Sequence, residues 1–205
     1  DWPAVDLGHS TPRGSLALRS AIAARYETLT ADDILVTSGA SEALAALAFA
    51  TLDRDSTLWA EPGCYASLLA AARHCGASME PFGRSPHATL AVANNPSVPF
   101  GDIRDIAEFI EKAQAAGAIP AVDEVYRDLV LDGRPIPAAA DLDPGAVSIG
   151  DLSKPLGLGG LRVGWVATRD RHLLPRIDRE LQLLSGGPSV LSVAASEVAS
   201  DAASA

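Results

Sequence analysis

Cysteine is scarce in this 205-residue sequence, with Cys64 and Cys75 the only two. They lie eleven apart across an expected helix with no cluster of other ligands beside them. That arrangement excludes a disulfide scaffold and a zinc site and fits a reducing, cytoplasmic setting; no metal site is expected. Positive charge is scarce as well. Sixteen Lys and Arg against 26 Asp and Glu leave a formal charge of −10, and without clustered basic residues the chain is not expected to bind nucleic acid or an anionic membrane. Long apolar runs are missing, since none reaches the roughly 20 residues that span a bilayer. No basic segment followed by an apolar stretch opens the chain, so a soluble protein is expected. Disorder is excluded too: hydrophobic residues make up 48% and charged residues 20%, and a chain of this length buries roughly 70% of its unfolded surface. What remains is an Ala-rich globular chain whose expected partner is a small molecule.

Apolar periodicity alternates along the sequence. Leu16 to Tyr26 has helical spacing, and Ile34 to Thr37 reads as a short buried strand. Ser41 to Leu52 is an Ala/Leu helix with Glu42 in its first turn, where a carboxylate suits the helix dipole. Thr57 to Ala60 is a strand, Tyr65 to Cys75 a helix stopped by Gly76, and a strand follows near Met79. Thr89 to Ala93 is another strand, Asn94 to Gly101 a loop, and Asp102 is expected to cap a helix through Ile103, Ile106, Phe109 and Ile110. Ile119 to Val122, Ala146 to Ile149 and Val163 to Ala167 complete the strands, with helices from Arg169 to Leu184 and from Ser189 onward. Such alternation predicts an α/β fold, a mostly parallel central sheet with helices on both faces and a ligand site at the carboxyl ends of the strands. The polar punctuation falls at those ends: Gly39-Ala40-Ser41, Asn94-Asn95, Asp123, and Asp151 to Lys154.

Each of these segments has a chemical use and a plainer alternative. Small residues from Thr37 to Ser41 let backbone N–H groups at a helix start approach an anion; an ordinary strand-to-helix turn reads the same way. Asp123 ends an apolar strand with Tyr126 three residues on, and a buried Asp needs a cation or hydrogen bonds; a capping Asp and a core Tyr are the alternative. The most informative run is Ser153-Lys154-Pro155-Leu156-Gly157-Leu158-Gly159-Gly160-Leu161-Arg162-Val163-Gly164. A lysine desolvated in such a loop becomes a nucleophile toward a carbonyl, and an arginine eight residues later can hold a phosphate bidentately. Solvated Lys and Arg beside a flexible loop are the bland alternative.

Together these motifs resemble the large domain of fold-type I pyridoxal-phosphate enzymes of the class I/II aminotransferase group. Gly14 to Ala23 is similar to the family's Gly…Leu-Arg…Ala-Ile stretch, Ser38 to Leu44 to its phosphate-cup turn, and Glu61-Pro62-Gly63-Cys64-Tyr65 to the segment presenting a stacking aromatic ring. Val122-Asp123-Glu124-Val125-Tyr126 closely matches the strand that meets the cofactor ring. The resemblance implies pyridoxal 5′-phosphate as cofactor and transfer of an amino group between an amino acid and a 2-oxo acid by a homodimer. It implies catalytic roles for Lys154, which binds the cofactor covalently, Asp123, which pairs with its ring nitrogen, and Tyr126, which reaches its 3′ oxygen. Gly39, Ala40, Ser41 and Arg162 would take the phosphate, Tyr65 the ring face, and Asn95 and Ser153 would complete the cofactor contacts. It also implies that residues 1–205 form one cofactor-binding large domain, short at its N-terminal side and without the small C-terminal domain.

The sequence departs from the family at several places. Val98 stands where an asparagine usually touches the 3′ oxygen, with Asn95 or Asn94 as substitutes. Asp151 stands where a Ser or Gly is usual, and its charge is expected to turn from the phosphate toward a cation. Tyr65 is one place late for the stacking aromatic, which leaves Cys64 as the other candidate. His9 lies near where the family brings a partner tyrosine to the phosphate, although a solvated or core histidine is the plainer reading. These departures leave open another pyridoxal-phosphate reaction (decarboxylation, elimination, or arginine-type cyclisation or oxidation) and a domain that binds the cofactor without turnover. A nucleotide-binding α/β domain ranks lower, because the lysine stands late in the chain and not after a first glycine loop.

Overall fold

The computed structural model describes residues 6, 8, 11–131 and 133–204; His9 lies outside them. A seven-stranded sheet runs through the molecule in the order β1-β7-β6-β5-β4-β2-β3. Its strands are β1 (Ile34–Thr37), β2 (Thr57–Ala60), β3 (Ser78–Glu80), β4 (Leu90–Asn94), β5 (Ile119–Asp123), β6 (Val147–Asp151) and β7 (Gly164–Ala167). β2, β3, β4, β5 and β6 pair in parallel, whereas β7 runs antiparallel to both β6 and β1. The exception has a physical cause. A parallel neighbour requires a crossover, and the segment from Leu152 to Val163 turns straight back instead of crossing the sheet face.

Helices α1 (Leu16–Ala23), α2 (Ala40–Thr51), α3 (Ala66–Cys75), α4 (Ile106–Ala115), α5 (Ala139–Leu142), α6 (Leu173–Leu184) and α7 (Val190–Ser204) cover both faces. Strand residues point alternately to the two sides. Leu90, Val92, Ala121 and Ile149 meet α2, α3 and α6, while Ala91, Ala93 and Val122 meet α4 and α5, and Ile34, Val36 and Trp165 meet α1 and α7. α2 carries alanine at Ala40, Ala43, Ala46, Ala48 and Ala50, all buried, so the helix lies close to the sheet. At Gly164 a Cβ would stand 2.5 Å from the Ala40 nitrogen. Glycine is thus required where the first residue of β7 meets the start of α2.

Most elements fall where periodicity predicts them, with ends shifted by a few residues. α4 is an exception. It begins at Ile106 and its cap is Asp105, whose carboxylate accepts from Glu108 N at 3.0 Å. Asp102 instead closes the preceding loop, donating from its own N–H to Ser97 Oγ at 3.0 Å. The short helix α5 has no counterpart in the expected pattern. No helix among the described residues is long and apolar enough to cross a membrane.

Candidate active site

The carboxyl ends of β1, β4, β5 and β6 and the start of β7 share one edge. Across it Thr37 is in register with Gly164 and Gly164 with Asp151, while Asn94 faces Asp123. Beside this row opens a pocket of about 300 Å³ bordered by Ala40, Ser41, Tyr65, Asn94, Val98, Asp123, Tyr126, Asp151, Ser153, Lys154 and Arg162. Segments far apart in sequence meet there, as the strand order requires.

At one end of the pocket, Gly39 turns β1 into α2 with a φ of 86°, held by a hydrogen bond from Thr37 Oγ1 to Gly39 O at 2.9 Å. Glu42 N donates to Gly39 O at 3.2 Å and Ala43 N at 3.4 Å. The N–H groups of Ala40 and Ser41 precede these bonds and have no acceptor inside the helix, which is the arrangement that suits an anion. Arg162 arches over them. Its backbone adopts φ 53° and ψ 50°, a left-handed conformation rare outside glycine, directly after the turn Gly159–Leu161. Its Nη2 lies 3.5 Å from Ser38 O, and a Cβ on Gly39 would collide with the guanidinium.

At the other end, β5 delivers Asp123. One oxygen accepts from Val125 N at 3.2 Å, and the residue is 7% exposed. Burial pushes its carboxyl up to about 6; the nearby Asp151 adds to the rise, while Val125 N–H and Lys154 oppose it. Lys154 is solvent-exposed, with Nζ 6.0 Å from the centroid of the Tyr126 ring. The expectation of a desolvated lysine is therefore not met: Lys154 borders the pocket with its side chain exposed. Asp151, 7% exposed, accepts from Ser153 N at 3.0 Å and Lys154 N at 3.4 Å through one oxygen. Ser153 Oγ is buried with no hydrogen-bond partner among the described residues.

Two pairs of neighbours are sorted by the backbone. Tyr65, just before α3, borders the pocket and is exposed, whereas Cys64 is buried with Sγ 3.5 Å from Val92 O. Burial pushes the Cys64 thiol up to about 12. Asn94 borders the pocket and donates to Gly63 O at 3.0 Å. Asn95 does not; its side-chain oxygen accepts from Arg104 N at 3.0 Å, toward α4. Strand parity separates them, since Asn94 shares a face with Val92 and Asn95 points to the opposite one.

Behind the pocket lies a network that sequence reasoning missed. Glu124 is buried, with Oε1 accepting from Ala139 N at 2.7 Å and from Ser148 Oγ at 2.9 Å, and Oε2 taking Arg127 Nη1 at 3.1 Å. Arg127 stacks 4.8 Å over the Tyr26 ring, whose hydroxyl receives Trp165 Nε1 at 2.7 Å. The signal was a charged residue at the end of an apolar strand with an arginine three residues on.

A family model described as aminotransferase class I and II matches residues 7–205. Capreomycidine synthase of Streptomyces vinaceus is 36% identical over 206 residues, covering 89% of this chain and 52% of that protein. A probable N-succinyldiaminopimelate aminotransferase of Mycobacterium tuberculosis is 29% identical, covering 74% of this chain and 46% of that one. The chain thus spans about half the length of the relatives it matches. Among solved structures, a PLP-dependent aminotransferase from Streptococcus suis superposes with a TM-score of 0.88 at 20% identity, over 98% of this chain and 58% of that chain. The N-succinyldiaminopimelate aminotransferase from Mycobacterium tuberculosis superposes with a TM-score of 0.80 at 26% identity, over 95% and 59%.

Proposed function

The chain belongs to the class I and II aminotransferase family, and from that premise we propose that it holds pyridoxal 5′-phosphate at the strand ends and moves an amino group between an amino acid and a 2-oxo acid. Members of this family depend on pyridoxal phosphate. The observation that carries the proposal is the meeting of Lys154, Asp123, Tyr126, Arg162 and the start of α2 around one pocket. The residues fit the cofactor at both of its ends. Asp123 is a buried carboxylate at the border of the pocket, with one oxygen accepting from Val125 N and a raised carboxyl, and a protonated ring nitrogen would be a suitable partner for it. The glycine at position 39 keeps open the space between the α2 N–H groups and Arg162 that a phosphate would use.

When bound, the cofactor supplies an electron sink for negative charge developing at the substrate α-carbon. Asp123 would hold the proton on the ring nitrogen, and its carboxylate would be stabilised by that cation in turn, so cofactor binding would be favoured above pH 6, where the free carboxyl has already lost its proton. Lys154 would be the residue that holds the cofactor covalently and the base that moves the proton at the substrate α-carbon. Tyr126 and Tyr65, which line the same pocket, would contact the cofactor ring, and Arg162 with the Ala40 and Ser41 amides would hold its phosphate and so orient the reacting carbon.

Residues 1–205 read best as one cofactor-binding domain working as a homodimer in the cytoplasm. Apolar side chains left exposed, among them Phe100, Leu131 and Leu183, support association with a second copy, and the free thiols of Cys64 and Cys75 support a reducing compartment. A second reading, a different pyridoxal-phosphate reaction on the same scaffold, is favoured by Val98 at the pocket and by the 36% identical relative named as a synthase. Mixing the protein with pyridoxal 5′-phosphate and a panel of amino donors and 2-oxo acids separates the two. Amino transfer that disappears in Lys154→Ala supports the first, and consumption of an amino acid without amination of any 2-oxo acid supports the second.

A further inference from the structure

Resting on the assignment of Lys154 as the covalent anchor, we propose that Asp151 is a positioning residue for that lysine: its carboxylate closes the turn that presents Lys154 and adds a second negative charge, beside that of Asp123, to the pocket. Asp151 ends β6 two residues beyond Ile149, which is the register partner of Asp123, so the two carboxylates point to the same face of the sheet. The Oδ1 bonds to Ser153 N at 3.0 Å and Lys154 N at 3.4 Å satisfy two donors where the chain leaves the strand. An uncharged Ser or Asn would close such a turn equally well. Capping alone therefore does not account for a buried charge.

The charge acts on what faces it. Across the pocket stand Asp123 from β5, Lys154 from the same turn and Arg162 from the residue before Val163. On its other side Asp151 borders a small hollow with Arg25, Glu124, Arg127 and Asp128. Those four are paired among themselves, Arg127 with Glu124 at 3.1 Å and Arg25 with Asp128. Arg162 is directed to Ser38 O and Gly159 O. Tyr126 borders the pocket and Tyr26 the hollow, and the group on which the charge of Asp151 acts to raise the carboxyl is Asp123. A negative charge there favours protonated, cationic forms of a group held in the pocket.

The test compares Asp151→Asn, which keeps an acceptor and removes the charge, with Asp151→Ser and Asp151→Ala, each with and without pyridoxal 5′-phosphate. In Asp151→Asn, borohydride should still fix the cofactor on Lys154 to the parental extent, while the pH midpoint of the visible absorbance band falls by about one pH unit. In the cofactor-free variant, the Asp123 carboxyl followed by NMR should titrate at lower pH than in the parent. Asp151→Ala should in addition slow cofactor attachment by roughly tenfold, the consequence of losing the turn's hydrogen bonds, and Asp151→Ser should restore the rate but not the midpoint. A parental midpoint and a parental Asp123 titration in Asp151→Asn, with Lys154 still labelled, would overturn this proposal and leave the proposed function standing. A parent protein that never becomes labelled on Lys154 would overturn both.

Discussion

Asp123 and Glu124 are neighbours at the end of one strand, yet they inhabit different worlds. Asp123 shares its strand face with Ala121, which packs toward α2, borders the pocket, holds a backbone hydrogen bond from Val125 N and has Lys154 as the cation that opposes its rise. Glu124 points the other way, where Arg127, Ser148 and the first turn of α5 satisfy both of its oxygens. Burial raises both carboxyls, Asp123 to about 6 and Glu124 to about 7, with Arg127 opposing the rise at Glu124. The difference lies in what surrounds them. Glu124 is bound on both oxygens by the protein and fixes the strand end, whereas Asp123 is buried at the border of the pocket with its carboxyl raised, the kind of perturbed group that marks a site for a ligand.

The comparison breaks most visibly at Arg127. Arg127→Ala leaves Glu124 buried without its partner and should destabilise the protein by about 3–5 kcal/mol in urea unfolding at pH 8. The loss should shrink at pH 5, where Glu124 takes up a proton; an equal loss at both values would show that the pair is not electrostatically coupled. Asp123→Asn should act in the opposite direction. The folded carboxyl binds its proton more tightly than the unfolded one, whose value is 3.8, so this group's penalty is absent at low pH, grows from about pH 4 to 6 and is complete above that. Asn keeps the acceptor for Val125 N–H, and the cofactor-free variant should gain about 1–3 kcal/mol at pH 8, while affinity for pyridoxal 5′-phosphate measured by equilibrium titration falls at least tenfold. Loss of stability in the cofactor-free variant would contradict the contrast with Glu124. At the small end is Lys112, exposed and paired with Glu108 at 2.6 Å on α4. Lys112→Ala should change stability by no more than about 0.5 kcal/mol and leave cofactor binding unaltered.

Much of this was legible in the sequence because it is periodic. β1 and β2 fall where their apolar runs place them, and the gathering of Gly39, Asp123 and Lys154 at one edge follows from strand-helix alternation alone. What escaped has physical reasons. The sequence pattern points to Asp102 as the cap, whereas Asp105, three residues later, accepts from Glu108 N, because the first helical turn starts only at Ile106. The loop motif leaves Asn95 and Asn94 both open as cofactor contacts, and strand parity from Val92 is what puts Asn94 at the pocket and Asn95 on the opposite face. The turn carrying Tyr65 assigns the pocket to the tyrosine and the core to Cys64, a choice that residue spacing alone left open. Tyr26 and Trp165 meet across 139 positions of sequence, a contact that no local pattern encodes.

The sequence holds two lysines, Lys112 and Lys154, and this makes the central claim directly measurable. The protein is incubated with pyridoxal 5′-phosphate, reduced with borohydride and digested, and the modified peptide is identified by mass spectrometry. The account predicts stoichiometric modification of Lys154 with Lys112 untouched. Modification of Lys112 to the same extent, or of neither lysine, would contradict it.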